Sequence, residues 1–487
     1  MTRETKSWTV CRVVLTLFVL LLADGAGFAQ SLTVLHTFSQ TSGGNPSGTA
    51  VGTNPDGAGP LEGLLNLGSM LYGTTDYGGT GSGTIFGINT NGTGFTNLHT
   101  FSVLSGNPQY HSGTNSDGAY PNALLNSGSF FYGVTIFGGL AGHGTIFKLN
   151  TDGTHFSTLY NFTNGNDGEP LGGLGCLVLS GGMIYGVGYK TMPGTGGGWV
   201  STVYEISTNG SGFDLLYQSA ETGSIPAGIT ASGGILYFSA NMNGNESSIY
   251  SLMANGMGIQ TLWPLDASTE GYPIEAAITV VNDVLYGTAT QGGPMNSGTM
   301  FSIPVSGGEL TVLHAFSAGQ GNFPVWSNYD GVGPGSVSVS GGMVFGTCEL
   351  GGAGATGVIY VVNTNGTGFQ TLYNFSAFDS PYSSYGNCEG GYPYPGPICV
   401  GNTLYGTCYC GGIYGSGTIY ALSIAQAPIS LNFQWTDSAV VLSWTNAAFA
   451  LQSAPTVSGV YTNVPGASSP YTNAVTGLQM FFRLVTD

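Results

Sequence analysis

Apolar and aromatic residues fall in short runs broken by Gly, Asn, Asp and Ser, and no stretch sustains the 3.6-residue spacing of an amphipathic helix. Read as strands, the first such unit has runs at 61–67, 70–75, 83–89 and 95–101, each bounded by turn residues. The link between its last two runs, Asn-Thr-Asn-Gly-Thr-Gly-Phe at 89–95, returns at 363–369 and has close relatives at 150–156 and 207–213. Asn-Gly and Asp-Gly supply the positive φ angles that tight hairpins require. With Gly at 84 of 487 residues, a helical reading fails on the same facts.

The strand runs repeat. Leu71-Tyr72-Gly73-Thr74-Thr75 has relatives whose aromatic stands at 132, 185, 237, 286, 345 and 405, so successive copies lie 49 to 60 residues apart. A period of that length, filled with short strands and Gly-rich turns, predicts propeller blades rather than a helical solenoid. A second phrase, Val34-Leu35-His36-Thr37-Phe38-Ser39, also has seven copies, but it precedes the first Tyr-Gly phrase and does not follow the last. The out-of-phase count predicts an all-β, seven-bladed β-propeller over 30–427, with 32–39 completing the last blade and so closing an exposed sheet edge. His36, His99 and His314 belong to this second phrase, where Tyr and Trp replace them, and read as structural.

Together the two phrases resemble the GloVer (Gloeo/Verruco) tandem repeat over about residues 32–424. That resemblance implies a β-propeller in an exported or surface protein of bacteria, and it brings no catalytic residues onto this chain. The fourth unit departs most, because Phe238 follows Tyr237 where the other copies have Gly.

The repeats stop at Ala427-Pro428. Six short apolar runs between 431 and 485 predict a small β-sandwich over 428–487, similar to the fibronectin-type-III-like tails of exported proteins. At the other end Arg3, Lys6 and Arg12 precede an apolar run from Val13 to Ala23, and Gly27-Phe28-Ala29 offers a cleavage point. This is a signal-peptide pattern over 1–29, too short to span a bilayer, and it places the chain outside the cytoplasm, secreted or at the cell surface.

Charge then limits the partners. Without 1–29 the chain keeps Lys148, Lys190 and Arg483 against 22 acidic residues (24 less Glu4 and Asp24), a formal charge of 3 − 22 = −19. Nucleic acid and anionic lipid require positive charge on the protein and are poor partners, so no nucleic-acid partner is expected. Five of the cysteines lie between 348 and 410, and Cys388 and Cys399, which bracket the entry to the last unit, are the candidate disulfide. An acid followed by Gly, with Pro close behind, leads into most units, at Asp56, Asp117, Asp167, Glu270, Asp330 and Glu389. Six carboxylates on one ring are weak Ca²⁺ candidates; the competing account is turn chemistry, the acid holding backbone N–H groups.

Alternating strand direction puts the loops between second and third strands, and the connections between units, on one face. Those at 39–59, 103–120, 189–198, 318–333 and 377–392 are long and varied, as recognition loops on a rigid scaffold are. They carry Tyr77, Tyr110, Tyr120, Tyr189, Trp199, Trp326, Tyr329, Tyr382, Tyr385, Tyr409 and Tyr414 among Asn and Asp, a composition suited to neutral sugars. Asp76, Glu169, Glu349 and Asp379 break the repeat pattern, and His111 and His143 share the face. The chain therefore reads as a non-catalytic binding protein for a neutral glycan or a protein ligand. The alternative is a carbohydrate-active enzyme, hydrolase or lyase, with an acidic pair near the central channel.

Overall fold

A computed structural model describes residues 30–42, 52–106, 113–172, 175–192, 198–220, 222–242, 246–274, 277–321, 326–379, 386–424, 432–435, 439–443, 449–455, 460–474 and 481–486. Among these residues there are strands and no helix. Seven antiparallel sheets follow one another up to Ser423, six of four strands and one of five, and their arrangement is propeller-like. The first sheet runs Leu65–Leu67, Met70–Thr75, Thr84–Asn89 and Thr96–Thr100. Its first strand is shorter than the expected 61–67, and the main chain ahead of it turns to a neighbour instead: the carbonyl of Glu62 accepts from Thr407 Oγ1 of the seventh sheet at 3.3 Å.

The innermost strands touch in cyclic order, from Leu65–Leu67 through Ala119–Ser127, Leu177–Ser180, Ser224–Ser232, Thr279–Val281 and Val332–Ser340 to Ile398–Val400 and back. The seventh sheet takes its outermost strand from the other end of the chain. Leu32–Thr37 pairs antiparallel with Thr418–Ser423, Leu32 opposite Leu422 and His36 opposite Ile419. Phe38, just beyond this strand, is fully buried against Phe86 of the first sheet.

The Tyr-Gly-Thr phrase has a use for each residue. Tyr72 faces the next sheet, its ring 4.8 Å from that of Phe131. The glycine makes room for the aromatic directly opposite it: Gly186 pairs with Tyr204, and a Cβ there would lie 2.3 Å from the Tyr204 hydroxyl oxygen. Gly73 with Phe86, Gly346 with Tyr360 and Gly406 with Tyr420 repeat the arrangement. In the fourth sheet Phe238 fills the glycine's place, and its partner Tyr250 is displaced into a stack at 5.4 Å and is only half-buried. The threonine hydroxyl reaches the next sheet, Thr288 to the carbonyl of Gly335 at 2.8 Å and Thr347 to that of Pro395 at 3.2 Å.

Beyond the ring, two three-stranded sheets contain the six C-terminal strands. Ala439–Ser443 lies between Asn432–Trp435 and Tyr471–Ala474; Phe449–Ala454 lies between Thr462–Asn463 and Phe481–Thr486. Val440, Leu442 and Leu451 form their small core. Residues 1–29 fall outside the described residues, and among those described no helix is long and apolar enough to cross a membrane.

Candidate functional site

The six repeated acids are accounted for locally. Asp56 accepts from His36 Nε2 at 3.0 Å and from the backbone N–H and hydroxyl of Ser39, which fixes the end of one sheet to the connection into the next. Asp117 does the same with His99 and Ser102, and Asp330 with His314 and Ser317. Where the histidine is replaced, the acid still finds its partner: Asp167 accepts from the Tyr160 hydroxyl, Glu270 from Trp263 Nε1 and Glu389 from Tyr373. Burial raises the Asp56, Asp117 and Asp330 carboxyls, but the hydrogen bonds from His and Ser outweigh it and hold all three below the usual range. Among the described residues no three acidic, histidine or cysteine side chains converge as a metal cluster, and the hydrogen bonds these carboxylates make are those of the turn-chemistry account.

An asparagine completes four of the six clamps. Asn54 Oδ1 accepts from the N–H groups of Gly57 and Gly79, while its Nδ2 donates to the carbonyls of Ser39 and Gly57. Asn115, Asn328 and Asn387 repeat this in three other sheets. The six cysteines among the described residues are free thiols. The expected Cys388–Cys399 bridge is absent because the two sit at opposite edges of their sheets: Cys388 is exposed beside Tyr373 of an outer strand, and Cys399 lies on the inner strand Ile398–Val400 with its thiol toward the carbonyl of Gly401.

Connections between sheets run beside second-to-third-strand loops on one face. Isolated bridges between Ala58 and Tyr77, Tyr272 and Gln291, and Gly391 and Cys410 lay each connection beside a second-to-third-strand loop. Two clusters form there.

The first spans the second and third sheets and gathers residues far apart in sequence. Glu169 accepts from Tyr189 Oη at 2.8 Å through one carboxylate oxygen, and the other lies 2.8 Å from His143 Nδ1. Burial raises the Tyr189 hydroxyl's pKa, and the bond to Glu169 raises it further. Trp199, at the start of the strand Trp199–Ser207, stands edge-on to Tyr189 at 6.3 Å and is 46% exposed. Lys190 reaches Asn166 alongside. An exposed indole beside a braced carboxylate and an imidazole offers a stacking surface with hydrogen-bonding groups at its edge.

The second cluster lies at the junction of the first and second sheets, toward the centre of the ring. Burial pushes Glu62 up to about 7, against lowering by Asn122 and the N–H groups of Ala123 and Gly175. Burial pushes Asp76 well above the usual carboxylate range, and the charge of Glu62 adds to the shift. Tyr77 packs edge-on to Tyr120 at 5.3 Å and shares a hydrogen bond with Tyr409. Tyr120, at φ 59°, and Tyr392, at φ 56°, are left-handed where Gly59 and Gly333 stand in equivalent connections, a strain of about 1–3 kcal/mol each of the kind retained at functional sites. Asp76 and Tyr77, expected as ligand-binding residues of the long-loop face, lie in this cluster, Asp76 buried and Tyr77 half-buried. Glu62 was missed, although a lone acid inside Leu61-Glu62-Gly63-Leu64 was the signal for it.

The other candidates do not join either cluster. Glu349 is half-buried and, after burial itself, its charge helps push the Cys410 thiol up to about 12. Asp379 is exposed, its N–H donating to the carbonyl of Gly386. Tyr329 is exposed on an open groove of about 570 Å³ between the fifth and sixth sheets, shared with Gln320 and Ser327 and holding no buried titratable group, and Trp326 packs on Gly319 nearby. Tyr110 and Tyr385, with His111 and Tyr382, lie outside the described residues.

Known proteins are similar to this chain at the level of the repeat and the fold. The Gloeobacter/Verrucomicrobia repeat matches residues 109–299. No curated protein matches the sequence. An oligogalacturonate lyase from Vibrio parahaemolyticus superposes with a TM-score of 0.51 at 9% identity, over 81% of this chain and 94% of the lyase. A putative 6-phosphogluconolactonase from Bacteroides fragilis gives a TM-score of 0.43 at 13% identity, over 86% of this chain and 98% of that one. At such identities the likeness to the lyase is one of fold alone.

Proposed function

We propose that this chain is an exported, seven-bladed β-propeller with a small C-terminal β-sandwich, which binds a neutral glycan through its long-loop face. The observation that carries this reading is the group Trp199, Tyr189, Glu169 and His143. Glu169 is held by two side chains from two sheets, and the indole beside it remains exposed. A large rigid ring next to positioned polar groups is the usual form of a sugar-binding surface. The scarcity of Lys and Arg supports a neutral ligand over a sulfated or uronate one.

The enzymatic alternative draws its support from Glu62 and Asp76, two carboxyls whose ionisation is displaced upward. Both are buried, at 5% and 7% exposure, and leave no open face on which a glycosidic bond would lie between them. The binding reading is therefore preferred. Its test is a screen of residues 30–487 against neutral, acidic and sulfated polysaccharides, with Trp199→Ala and Glu169→Gln as controls. Selective retention on a neutral glycan, weakened about tenfold or more by Trp199→Ala, supports it. Retention that ignores both substitutions, or none on any glycan, contradicts it and turns attention to a protein ligand.

A further inference from the structure

Three junctions between neighbouring sheets are closed by one threonine hydroxyl each, Thr288 to Gly335, Thr347 to Pro395 and Thr407 to Glu62. The equivalent residue at the junction of the first and second sheets is Thr74, and its Oγ1 is buried without a partner. Asp76, two residues on, projects to the same side, the side on which Tyr72 meets Phe131 of the second sheet. Asp76 Oδ1 is likewise buried and unpartnered, as are Glu62 Oε1 and Asn122 Nδ2. Two contacts link these groups: Asp76 feels the charge of Glu62, and the Asn122 amide lies against the Glu62 carboxyl.

Four orphaned polar atoms from three segments thus lie at one junction; Ser239 Oγ, the equivalent in the fourth sheet, is orphaned too, but among the described residues the orphaned carboxylate oxygens are those of Glu62 and Asp76. Buried polar groups left unpaired call for an explanation, and a bound ion is one of those available. Among the described residues no Lys, Arg or His forms an ion pair with either carboxyl, so the protein does not itself balance their charge. A small cation bound by oxygen would pair these groups, replacing the protons that burial otherwise favours on the two carboxyls. Asn122 Oδ1 accepts from Cys176 Sγ at 3.3 Å, so turning the amide over to present an oxygen to the carboxyls would exchange that weak bond for a further ligand.

We propose that Glu62, Asp76 and Thr74, with Asn122, form a buried calcium site at the junction of the first and second sheets. Two carboxyls and two neutral oxygens supply the protein ligands, and water completes the six to eight that Ca²⁺ takes. The repeated acids such as Asp56 have no part in it, being committed to their clamps.

The test uses residues 30–487, stripped with EDTA, dialysed, and assayed at pH 8 for bound calcium and for Tm with and without CaCl₂. One Ca²⁺ per chain and a calcium-dependent rise in Tm of about 3 °C or more are expected. Glu62→Gln combined with Asp76→Asn abolishes both, and Thr74→Val weakens calcium binding in a fold that keeps its carboxyls. Asp56→Asn lowers Tm but keeps the calcium response. Wild-type protein that binds no calcium and shows an unchanged Tm overturns the proposal whether or not the variants fold. So does a calcium response that survives the double substitution.

Discussion

The imidazole of His314 lies flat on the ring of Phe369, 3.6 Å between centroids and 4° between planes, while its Nε2 bonds to Asp330 at 3.0 Å. One side chain thereby joins the outer strand of the fifth sheet, the connection leaving it, and a turn of the sixth. His36 on Phe95, His99 on Phe156 and Tyr160 on Phe213 do the same at three other junctions. The Phe ending the Asn-Gly-Thr-Gly turn and the acid ahead of the next strand are thus two ends of one clamp.

Asp330 is fully buried and accepts from His314 and Ser317, so Asp330→Ala orphans several donors at once. We expect a loss of about 2–3 kcal/mol. His314→Ala together with Phe369→Ala should show a coupling of about 0.5–1.5 kcal/mol in a double-mutant cycle. Urea unfolding measures both, and additive single effects would refute the coupling.

The same clamps set the acid limit of stability. Asp56, Asp117 and Asp330 have carboxyls lowered in the folded state, so their contribution is complete above the unfolded value of 3.8 and is lost as pH falls through the folded values. Stability should drop steeply below about pH 4. Replacing all three by Asn should flatten that drop and lower stability at neutral pH, as read by unfolding free energy against pH.

Glu62 behaves in the opposite sense. Its folded carboxyl is raised from 4.5 to about 7, so the associated stability is present below pH 4.5 and lost as pH rises through 7. In EDTA, Glu62→Gln should therefore match the wild type near pH 4.5 and exceed it at pH 8. With CaCl₂ at pH 8 the order should reverse. Thermal unfolding under the three conditions distinguishes these outcomes.

Glycine in the Tyr-Gly phrase is a steric requirement. A Cβ at Gly186 or Gly346 falls 2.3 Å from the opposing tyrosine hydroxyl oxygen, whereas Gly401 has nothing within 4 Å. Gly186→Ala and Gly346→Ala should each cost about 1–3 kcal/mol by overpacking. Gly401→Ala, which meets only the strain of its φ of 61°, should cost less.

Ring closure is open to deletion. Removing 30–39 strips the partner strand from Thr418–Ser423, the fully buried Phe38 and the His36–Asp56 bond. The expected product aggregates through the bared edge and loses cooperative unfolding. A monomeric truncation that unfolds as the full chain does would show that the closing strand is dispensable.

Much of this was legible in the sequence because repetition amplifies a weak signal. Seven copies of Tyr-Gly and the out-of-phase His-Thr-Phe-Ser phrase marked seven sheets and the borrowed strand. The phrases also held a pairing that single positions do not reveal: whether the ring is His36, Tyr160 or Trp263, it donates to the acid of its own repeat, Asp56, Asp167 or Glu270. Glu62 was hidden for the opposite reason, since it occurs once, within an apolar run, and its meaning depends on Asn122 some sixty positions away. The gathering of His143, Glu169, Tyr189 and Trp199 likewise depends on how two sheets sit side by side, which no local pattern encodes.

The most direct measurement of the central claim is a fluorescence titration of residues 30–487 with neutral oligosaccharides, wild type against Trp199→Phe. Trp199 is 46% exposed and adjoins Tyr189, so a sugar stacking on it should produce a saturable blue shift that the substitution abolishes. A shift that persists without the indole, or no saturable change with any neutral oligosaccharide, would contradict glycan recognition at this site.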